Sequence, residues 1–292
     1  MRKQTLKMTR IKNQPATAAK SDTPRVFERR QRVQSAETGM AVLKGLAAIG
    51  GNASLTALSA HVGENPAKVH RYLLSLMQEG LVDQDSVSQR YVLGPELIQI
   101  GLAAMRQAEP IRRAEPALFR LRETFEITCF VAVMGNKGPT VMRIEEPGLP
   151  VTVNVRAGSV MSLLWSATGR VFLGLLDESR VRVMAGEELA SATPYMRGLL
   201  PSAKPVETLQ KEIQALHCAV VRDTYQPGIS AVAAPVYDFT GRVCAVITAL
   251  GASGGFDPSI DGAIGLAVQR EADATSKLLG YSGTASNRPA PY

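Results

Sequence analysis

Between residues 54 and 93, apolar and polar positions recur first with a helical period and then with a strand period. The predicted elements are helices over residues 54–62 and 65–79 and strands over residues 81–84 and 90–93. A tight turn is expected at Gly63 and Glu64. Asn65 is a favourable N-cap, and Pro66 suits the first helical position because its missing N–H would have no partner there.

This order of two helices and a hairpin is typical of a winged helix-turn-helix, whose second helix enters the DNA major groove. The second helix has an apolar stripe, and its opposite face carries Ala67, Lys68, His70, Arg71 and Ser75. A helical hairpin that packs against another surface is the alternative. The combination of features favours DNA binding, although no single feature is specific for it.

The rest of the chain shows one more helix on either side of this module and then a mixed pattern. A helix is expected from Ser35, its N-cap, to the turn at residues 50–51, and a very apolar helix follows Pro95. From Ile111 onward, helices are predicted over residues 116–125, 166–176, 204–216 and 257–279, and strands over 128–134, 140–145, 151–155, 219–223, 229–237 and 243–250. The sequence therefore predicts an α+β protein whose second part resembles a sensor domain.

Charge is distributed unevenly along the 292 residues, whose net charge is +7. Residues 1–34 contain ten of the 33 Lys and Arg residues and two of the 26 acidic residues, so the remainder has a net charge of −1. This basic segment lacks apolar periodicity and is expected to be disordered. It either adds phosphate contacts beside a DNA-reading module or is only a solvated extension.

The composition also argues against several classes of protein. No apolar run of about 18 residues suggests a membrane span, and no secretory signal is recognisable, so a cytoplasmic protein is expected. Cys129, Cys218 and Cys244 are far apart in apolar surroundings, which predicts buried free thiols and neither disulfides nor a metal site. With three His residues and no nucleophile-and-base arrangement, neither an enzyme nor a cofactor is expected.

Four segments together resemble the isocitrate-lyase-regulator (IclR) family of bacterial transcription factors. They are VQSAETGMAVL, HRYLLSLMQEGLV, RYVLGPEL and GISAVAAPVYDFTGRVCAVITALG. The resemblance covers roughly residues 33–282. It implies a winged helix-turn-helix, a linker helix that helps to form dimers, and a GAF-like α/β domain that binds a small-molecule effector.

The resemblance implies a domain order and a pair of partners. The expected segments are a disordered tail (1–34), the DNA-binding domain (35–94), the linker helix (95–109), the effector-binding domain (110–282) and a disordered tail (283–292). The expected partners are a palindromic double-stranded operator and a small-molecule effector, bound by a homodimer or a dimer of dimers that represses or activates metabolic operons.

On the DNA side, the chain departs from the family at one pair of positions. Ala67 and Lys68 replace a common Ser-Thr pair, whereas His70, Arg71 and Arg90 match. Arg90, in the wing, is suited to a phosphate or a narrow minor groove. The residues expected to contact DNA are Ser54, Asn65, Ala67, Lys68, His70, Arg71, Ser75 and Arg90.

The expected effector site is more apolar than is usual for the family. Leu164 and Trp165 replace a frequent His-Ala pair, and Ala231 replaces a frequent Cys. The residues expected to bind the effector are Met161, Leu164, Trp165, Ser166, Ala167, Thr168, Gly169, Arg222, Asp223, Ile229, Ala231, Thr248 and Leu250.

These positions suggest a small carboxylate with an apolar or aromatic body. The first N–H groups of the helix at Ser166 would bind the anion, Trp165 would form a flat wall, and Arg222 would be a second carboxylate partner. Alternatively, Trp165 is a core residue and Ser166 only an N-cap. A further alternative is a DNA-binding regulator without an effector, in which Leu164 and Trp165 fill the pocket.

Overall fold

The computed structural model describes residues 33–106, 109–148 and 155–283. The predicted strand over residues 151–155, except for Val155, and nearly all of the two predicted tails lie outside these ranges. The chain divides into two compact units, the first ending at Gln99 and the second beginning at Ile100.

The first unit combines three helices with a small antiparallel sheet. Its elements are α1 (Gln34–Ala48), β1 (Asn52–Ala53), α2 (Leu55–Val62), α3 (Pro66–Gln78), β2 (Val82–Gln84) and β3 (Tyr91–Leu93). The strands lie in the order β1-β3-β2. Its core is built from Val42, Leu46, Ala53, Leu58, Val69, Leu73, Leu76, Val82 and Tyr91. The predicted winged helix-turn-helix is therefore present, with each boundary within about two residues of the prediction.

One local prediction in this unit is wrong, and one strand was not predicted. Helix α1 begins at Gln34, one residue before its expected cap at Ser35, and the N-cap position is Val33, which makes no side-chain bond to the helix. The turn predicted at residues 50–51 leads into the unpredicted strand β1, which pairs with β3, so the predicted hairpin of β2 and β3 is present as part of a three-stranded sheet.

Helix α4 (Glu96–Arg106) spans the division between the units and corresponds to the predicted linker helix. Ile98, Ile100 and Leu102 are exposed on it.

The second unit is an antiparallel sheet with helices on both faces. Its helices are α5 (Pro110–Phe125), α6 (Ala167–Leu175), α7 (Ser179–Ser191), α8 (Pro194–Gly198), α9 (Pro205–Leu216) and α10 (Ala263–Leu278). Its strands are β4 (Thr128–Gly135), β5 (Gly138–Glu145), β6 (Ala219–Arg222), β7 (Ile229–Tyr237) and β8 (Val243–Ala252). They lie in the order β5-β4-β8-β7-β6.

The sheet separates two apolar cores, and alternation along the strands assigns residues to each. Phe130 and Ala132 of β4 belong to the core that includes α6, α7 and α9. Cys129 and Val131 belong to the core formed with α5 and α10. Because both faces are covered, the central strands are apolar almost throughout.

Two helix boundaries in the second unit depart from the prediction. Helix α5 begins at Pro110 and continues through Pro116, where the prediction began it. Helix α10 begins at Ala263 because Asp257 closes a turn, its Oδ1 accepting from the Ser259 N–H at 3.1 Å and hydroxyl at 2.6 Å. Helices α7 and α8 were not predicted.

Candidate functional site

Two polar side chains fix the beginnings of the helices in the helix-turn-helix. Ser54 Oγ accepts from the Ala57 N–H at 3.3 Å, and Asn65 Oδ1 accepts from the Ala67 N–H at 2.9 Å. Between them Gly63 adopts φ 73°, a left-handed conformation that glycine favours at the end of a helix. The expected capping by Asn65 is confirmed, and it orients α3 relative to α2.

The expected DNA-contacting residues of α3 lie on the face opposite its buried stripe. Ala67, His70, Arg71 and Ser75 are exposed, and Lys68 is half-buried. Lys68 Nζ pairs with Glu64 Oε1 at 2.8 Å, and His70 Nδ1 lies 3.0 Å from the hydroxyl of Tyr91. Arg71 has no side-chain partner among the described residues. The face is thus basic and accessible, and Arg71 is its most available cation.

The wing carries one basic residue beside an acidic tip. Arg90 Nε donates to Asn52 Oδ1 at 2.5 Å, and its Nη2 donates to the Asn52 carbonyl at 3.1 Å. At the tip, Asp85 Oδ1 accepts from the Ser88 N–H at 2.6 Å and hydroxyl at 2.7 Å, and these bonds lower the pKa of Asp85. Arg90 is therefore held against β1, and the tip itself is anionic.

The second unit contains a cavity of about 590 Å³ between the sheet and the beginning of α6. Its lining residues are Phe130, Val155, Ser159, Val160, Met161, Ser166, Ala167, Thr168, Val221, Tyr225, Gln226, Ile229, Ala231, Thr248 and Leu250. None of these described residues is charged. The volume lies within the usual range for a small-molecule site, roughly 300–1,000 Å³.

The polar groups of this cavity are concentrated near the first turn of α6. Thr168 Oγ1 lies 2.8 Å from Thr248 Oγ1. Ser166 Oγ caps the helix by accepting from the Gly169 N–H at 2.9 Å. The N–H groups of Ala167 and Thr168 have no acceptor among the described residues, as is normal in a first helical turn. They carry the positive end of the helix dipole, which favours an anion.

Eight of the expected effector residues line the cavity: Met161, Ser166, Ala167, Thr168, Ile229, Ala231, Thr248 and Leu250. Leu164, Trp165, Gly169, Arg222 and Asp223 do not.

The structure explains why Leu164, Trp165 and Gly169 lie elsewhere. Leu164 is fully buried in the apolar core. The Trp165 Nε1–H donates to the Met196 carbonyl at 2.9 Å, which directs the ring toward α8. Gly169 packs tightly against the turn that precedes α6, because a Cβ there would lie 1.9 Å from the Ser162 carbonyl oxygen. The alternative in which Trp165 belongs to the core is the correct one.

The two charged residues expected in the cavity also have other roles. Arg222 is exposed, because it follows Val221, which faces the cavity, on strand β6. Asp223 Oδ1 accepts from the Gly228 N–H at 2.7 Å and from the Ser253 hydroxyl at 2.8 Å, and so closes the loop between β6 and β7. The expectation that Arg222 binds a carboxylate in this cavity is therefore wrong.

Sequence reasoning missed seven lining residues: Phe130, Val155, Ser159, Val160, Val221, Tyr225 and Gln226. Side chains along a strand alternate between its two faces, so every second residue faces the same side. This alternation could have identified Phe130 and Val221. Val155 ends the strand predicted over residues 151–155, and the other four lie in segments without regular periodicity.

Other chemistry is limited in the described part of the chain. None of the three cysteines forms a disulfide, and Cys129 and Cys218 are buried whereas Cys244 is half-buried. Burial raises the pKa of the Cys129 and Cys244 thiols to about 12, so both remain protonated at neutral pH. The described residues contain no group of three potential metal ligands, and no described helix is long and apolar enough to cross a membrane.

Two family models match the chain. The IclR helix-turn-helix domain matches residues 35–86, and the bacterial transcriptional regulator IclR C-terminal domain matches residues 102–276. Among curated proteins, the chain is 28% identical over 210 residues to the transcriptional regulator BhcR of Paracoccus denitrificans, covering 70% of this chain and 73% of that one. It is 26% identical over 225 residues to the transcriptional repressor AllR of Escherichia coli, covering 75% and 80%.

Solved structures show the same architecture. Pseudomonas aeruginosa HmgR superposes with a TM-score of 0.78 at 38% identity, covering 86% of this chain and all of that one. The Agrobacterium tumefaciens repressor BlcR superposes with a TM-score of 0.72 at 15% identity, covering 86% and 99%, and at that identity it supports the fold alone.

Proposed function

Because the chain belongs to the IclR family of bacterial transcriptional regulators, we propose that it controls operon expression in the cytoplasm by binding a palindromic operator under the control of a small organic acid. Members of this family are regulators and not enzymes, in agreement with the lack of a catalytic arrangement in the sequence. The proposed effector site is the cavity beside α6.

DNA recognition is assigned to the exposed face of α3. Arg71 and Lys68 are its cations, and a base contact by either is worth about 1–3 kcal/mol of discrimination. Lys68 pairs with Glu64, so its contact with DNA requires exchange of that ion pair for a phosphate or base. Arg71 needs no such exchange and is proposed to contribute more. The wing contributes to DNA binding through Arg90, whereas the acidic tip at Asp85 is repelled by the DNA phosphates and is not proposed to contact them.

The DNA proposal is tested by selecting an operator from random duplexes with the full chain and measuring affinity by fluorescence anisotropy. Arg71→Ala should weaken specific binding by about tenfold or more, and Lys68→Ala somewhat less. Lys44→Ala removes the same charge from an exposed position on α1 and serves as the matched control, with an expected change below about twofold. Equal losses for all three variants would contradict recognition by α3.

The basic N-terminal segment is tested separately. Deleting residues 1–30 should mainly flatten the dependence of binding on salt, because phosphate contacts release counterions without reading sequence. A loss of affinity equal to that of Arg71→Ala, or an unchanged salt slope, would contradict this assignment.

A homodimer or a dimer of dimers is proposed because a helix-turn-helix reads two half-sites about one DNA turn apart. The apolar side chains exposed on α4 support a partner surface: Ile98, Ile100 and Leu102. Light scattering after size-exclusion chromatography tests the assembly, and a monomer at micromolar concentration would contradict it.

The effector is proposed to be a monocarboxylate with an apolar or aromatic body. The observation that carries this proposal is an apolar cavity of about 590 Å³ whose polar end is the first turn of α6. Ala167 and Thr168 offer N–H groups to the carboxylate, and Phe130, Ile229 and Leu250 surround the body.

Calorimetric titration with benzoate and phenylacetate tests this class, with benzamide as the neutral control. Binding of at least one acid, more tightly than the amide, is expected, together with a change in operator affinity. If none of these acids binds whereas a polar metabolite does, the proposed class is wrong. The alternative of a regulator without an effector is less favoured because Leu164 and Trp165 pack away from the cavity and leave it open.

A further inference from the structure

A carboxylate on helix α7 holds the turn that precedes helix α6. The Leu163 N–H donates to Glu188 Oε2 at 2.9 Å. Inside the turn, Ser162 Oγ accepts from the Leu164 N–H at 3.2 Å and from the Trp165 N–H at 2.9 Å. The three consecutive N–H groups of this turn thus donate to two side chains: that of Ser162 within the turn and that of Glu188 on helix α7.

This turn connects directly to the polar end of the proposed effector cavity. The Ser162 carbonyl accepts from the Ser166 hydroxyl at 2.5 Å, and Ser166 then caps α6. Met161, on the other side of the turn, also lines the cavity. The turn therefore sets the position of lining residues on both of its sides.

Glu188 reaches the turn from a neighbouring cavity of about 770 Å³. Val160, Met161 and Tyr225 line both cavities, whereas Glu188 lines only this second one. A ligand confined to the first cavity would consequently not touch Glu188, whose contacts toward that cavity run through the turn; burial, and secondarily the charge of Glu188, raise the pKa of Tyr225, which lines both cavities.

The placement of this carboxylate is unusual for a helix face. Val181 and Ala185 are buried, and Glu188 follows at spacings of four and three on the same side of α7. Burial raises the pKa of Glu188, whereas hydrogen bonds from Ser162 and Leu163 lower it. A partly buried charge of this kind is retained where its hydrogen bonds stabilise the ionised form.

We propose that Glu188 is a positioning residue for the effector site: by holding the Ser162–Trp165 turn from α7, it fixes the orientation of Met161 and of the first turn of α6. This inference rests on the proposed effector function of the cavity. Glu188 does not contact the effector.

The test compares two variants of nearly equal size in the full chain. Glu188→Met removes the acceptor, and Glu188→Gln keeps a carbonyl oxygen that can still accept from the Leu163 N–H. Glu187→Met is the matched control, because Glu187 is an exposed neighbour on the same helix that lines the same second cavity. Should Glu188→Met fail to fold, Glu188→Ala takes its place.

The first measurement is amide hydrogen exchange of a peptide spanning residues 161–170, which needs no ligand. Glu188→Met should speed exchange there by about tenfold, as expected for loss of one hydrogen bond. Glu188→Gln and Glu187→Met should leave it near the wild-type rate. The emission of Trp165, the single Trp of the chain, should shift in Glu188→Met alone.

The second measurement is the affinity for benzoate by calorimetry. Glu188→Met should weaken it by about tenfold, and Glu188→Gln should restore most of the loss. Unchanged exchange in Glu188→Met, or faster exchange without a loss of benzoate affinity, would overturn the proposal. If benzoate does not bind the wild type, the proposed effector class is in question, while the exchange data still decide whether Glu188 positions the turn.

Discussion

The hydrogen bond between Thr168 and Thr248 is the sharpest quantitative test of how the cavity is built. Thr168 lies on α6 and Thr248 on β8, and their hydroxyl oxygens are 2.8 Å apart. Their exposed fractions are 0% and 1%, so each hydroxyl depends on the other. The bond joins the helix to the sheet beside the proposed effector.

The expected magnitudes follow from the cost of leaving a buried hydroxyl unpaired. Thr168→Val or Thr248→Val preserves shape, deprives the remaining hydroxyl of its partner, and should lower the free energy of unfolding by about 1–3 kcal/mol. The double variant leaves no orphaned hydroxyl and should cost less than the sum of the single variants. For a unit of this size, each kcal/mol corresponds to a melting-temperature change of about 2–4 °C.

Urea denaturation followed by Trp165 emission is the appropriate assay, because the single Trp reports on the second unit alone. Thr275→Val is the matched control. Thr275 is equally buried, but its hydroxyl donates to the Glu271 carbonyl of its own helix at 2.8 Å, so its removal orphans no side chain and should cost less than about 1 kcal/mol. Strict additivity of the Thr168→Val and Thr248→Val effects would refute the pairing.

The remaining predictions concern stability. Asn65→Ala should destabilise the first unit by about 1 kcal/mol through loss of the α3 cap, measured by circular dichroism, and Asn65→Asp should not. Gly169→Ala should destabilise the second unit by about 3 kcal/mol or more in urea, because its Cβ would meet the Ser162 carbonyl oxygen at 1.9 Å. Gly186→Ala, with open space around its Cβ in α7, should instead stabilise by about 0.5–1 kcal/mol. Because burial raises the pKa of Glu188, the part of the stability that depends on its protonation is fully present below pH 4.5 and is lost as pH rises through its folded-state pKa, while the carboxylate still accepts from the Leu163 N–H. The stability of Glu188→Gln relative to wild type should therefore increase with pH above 4.5, and a pH-independent difference would contradict the shift.

The first unit was predictable because local signals determine it. Asn65 and Pro66 mark the beginning of α3, Gly63 the end of α2, and the apolar stripe of α3 identifies its buried face. Strand β1 was not predicted because two residues are too few to show the alternation of a strand, and because its pairing with β3 is a long-range contact.

The second unit was predictable only where periodicity was strong. Strands β7 and β8 were placed correctly, and with them Ile229, Ala231, Thr248 and Leu250. Helix α7 was missed because its inward face combines Val181 and Ala185 with Glu188, so its apolar stripe is interrupted.

Trp165 shows a different limit of sequence reasoning. Its position just before α6 indicated that it would line the cavity, but it lines the neighbouring second cavity instead. The side on which the ring packs depends on the Met196 carbonyl, which belongs to the unpredicted helix α8. An aromatic residue next to a site therefore cannot be assigned to that site until the neighbouring helices are known.

The lack of charged side chains among the described lining residues has a consequence for effector selectivity. With Arg222 outside the cavity, the proposed carboxylate would be stabilised there by the first turn of α6, and a helix N-terminus contributes about 0.3–1 kcal/mol to an anion and up to about 2 kcal/mol when partly buried. Benzoate should therefore be preferred over benzamide by no more than about thirtyfold, and most of the affinity must come from the apolar body against residues such as Phe130 and Leu250. This small electrostatic gain depends on the direction of the two N–H groups. The hydrogen bonds that hold the preceding turn, including the one to Glu188, should therefore influence which ligands the proposed effector cavity prefers. A preference near a thousandfold would instead require a cation at the carboxylate.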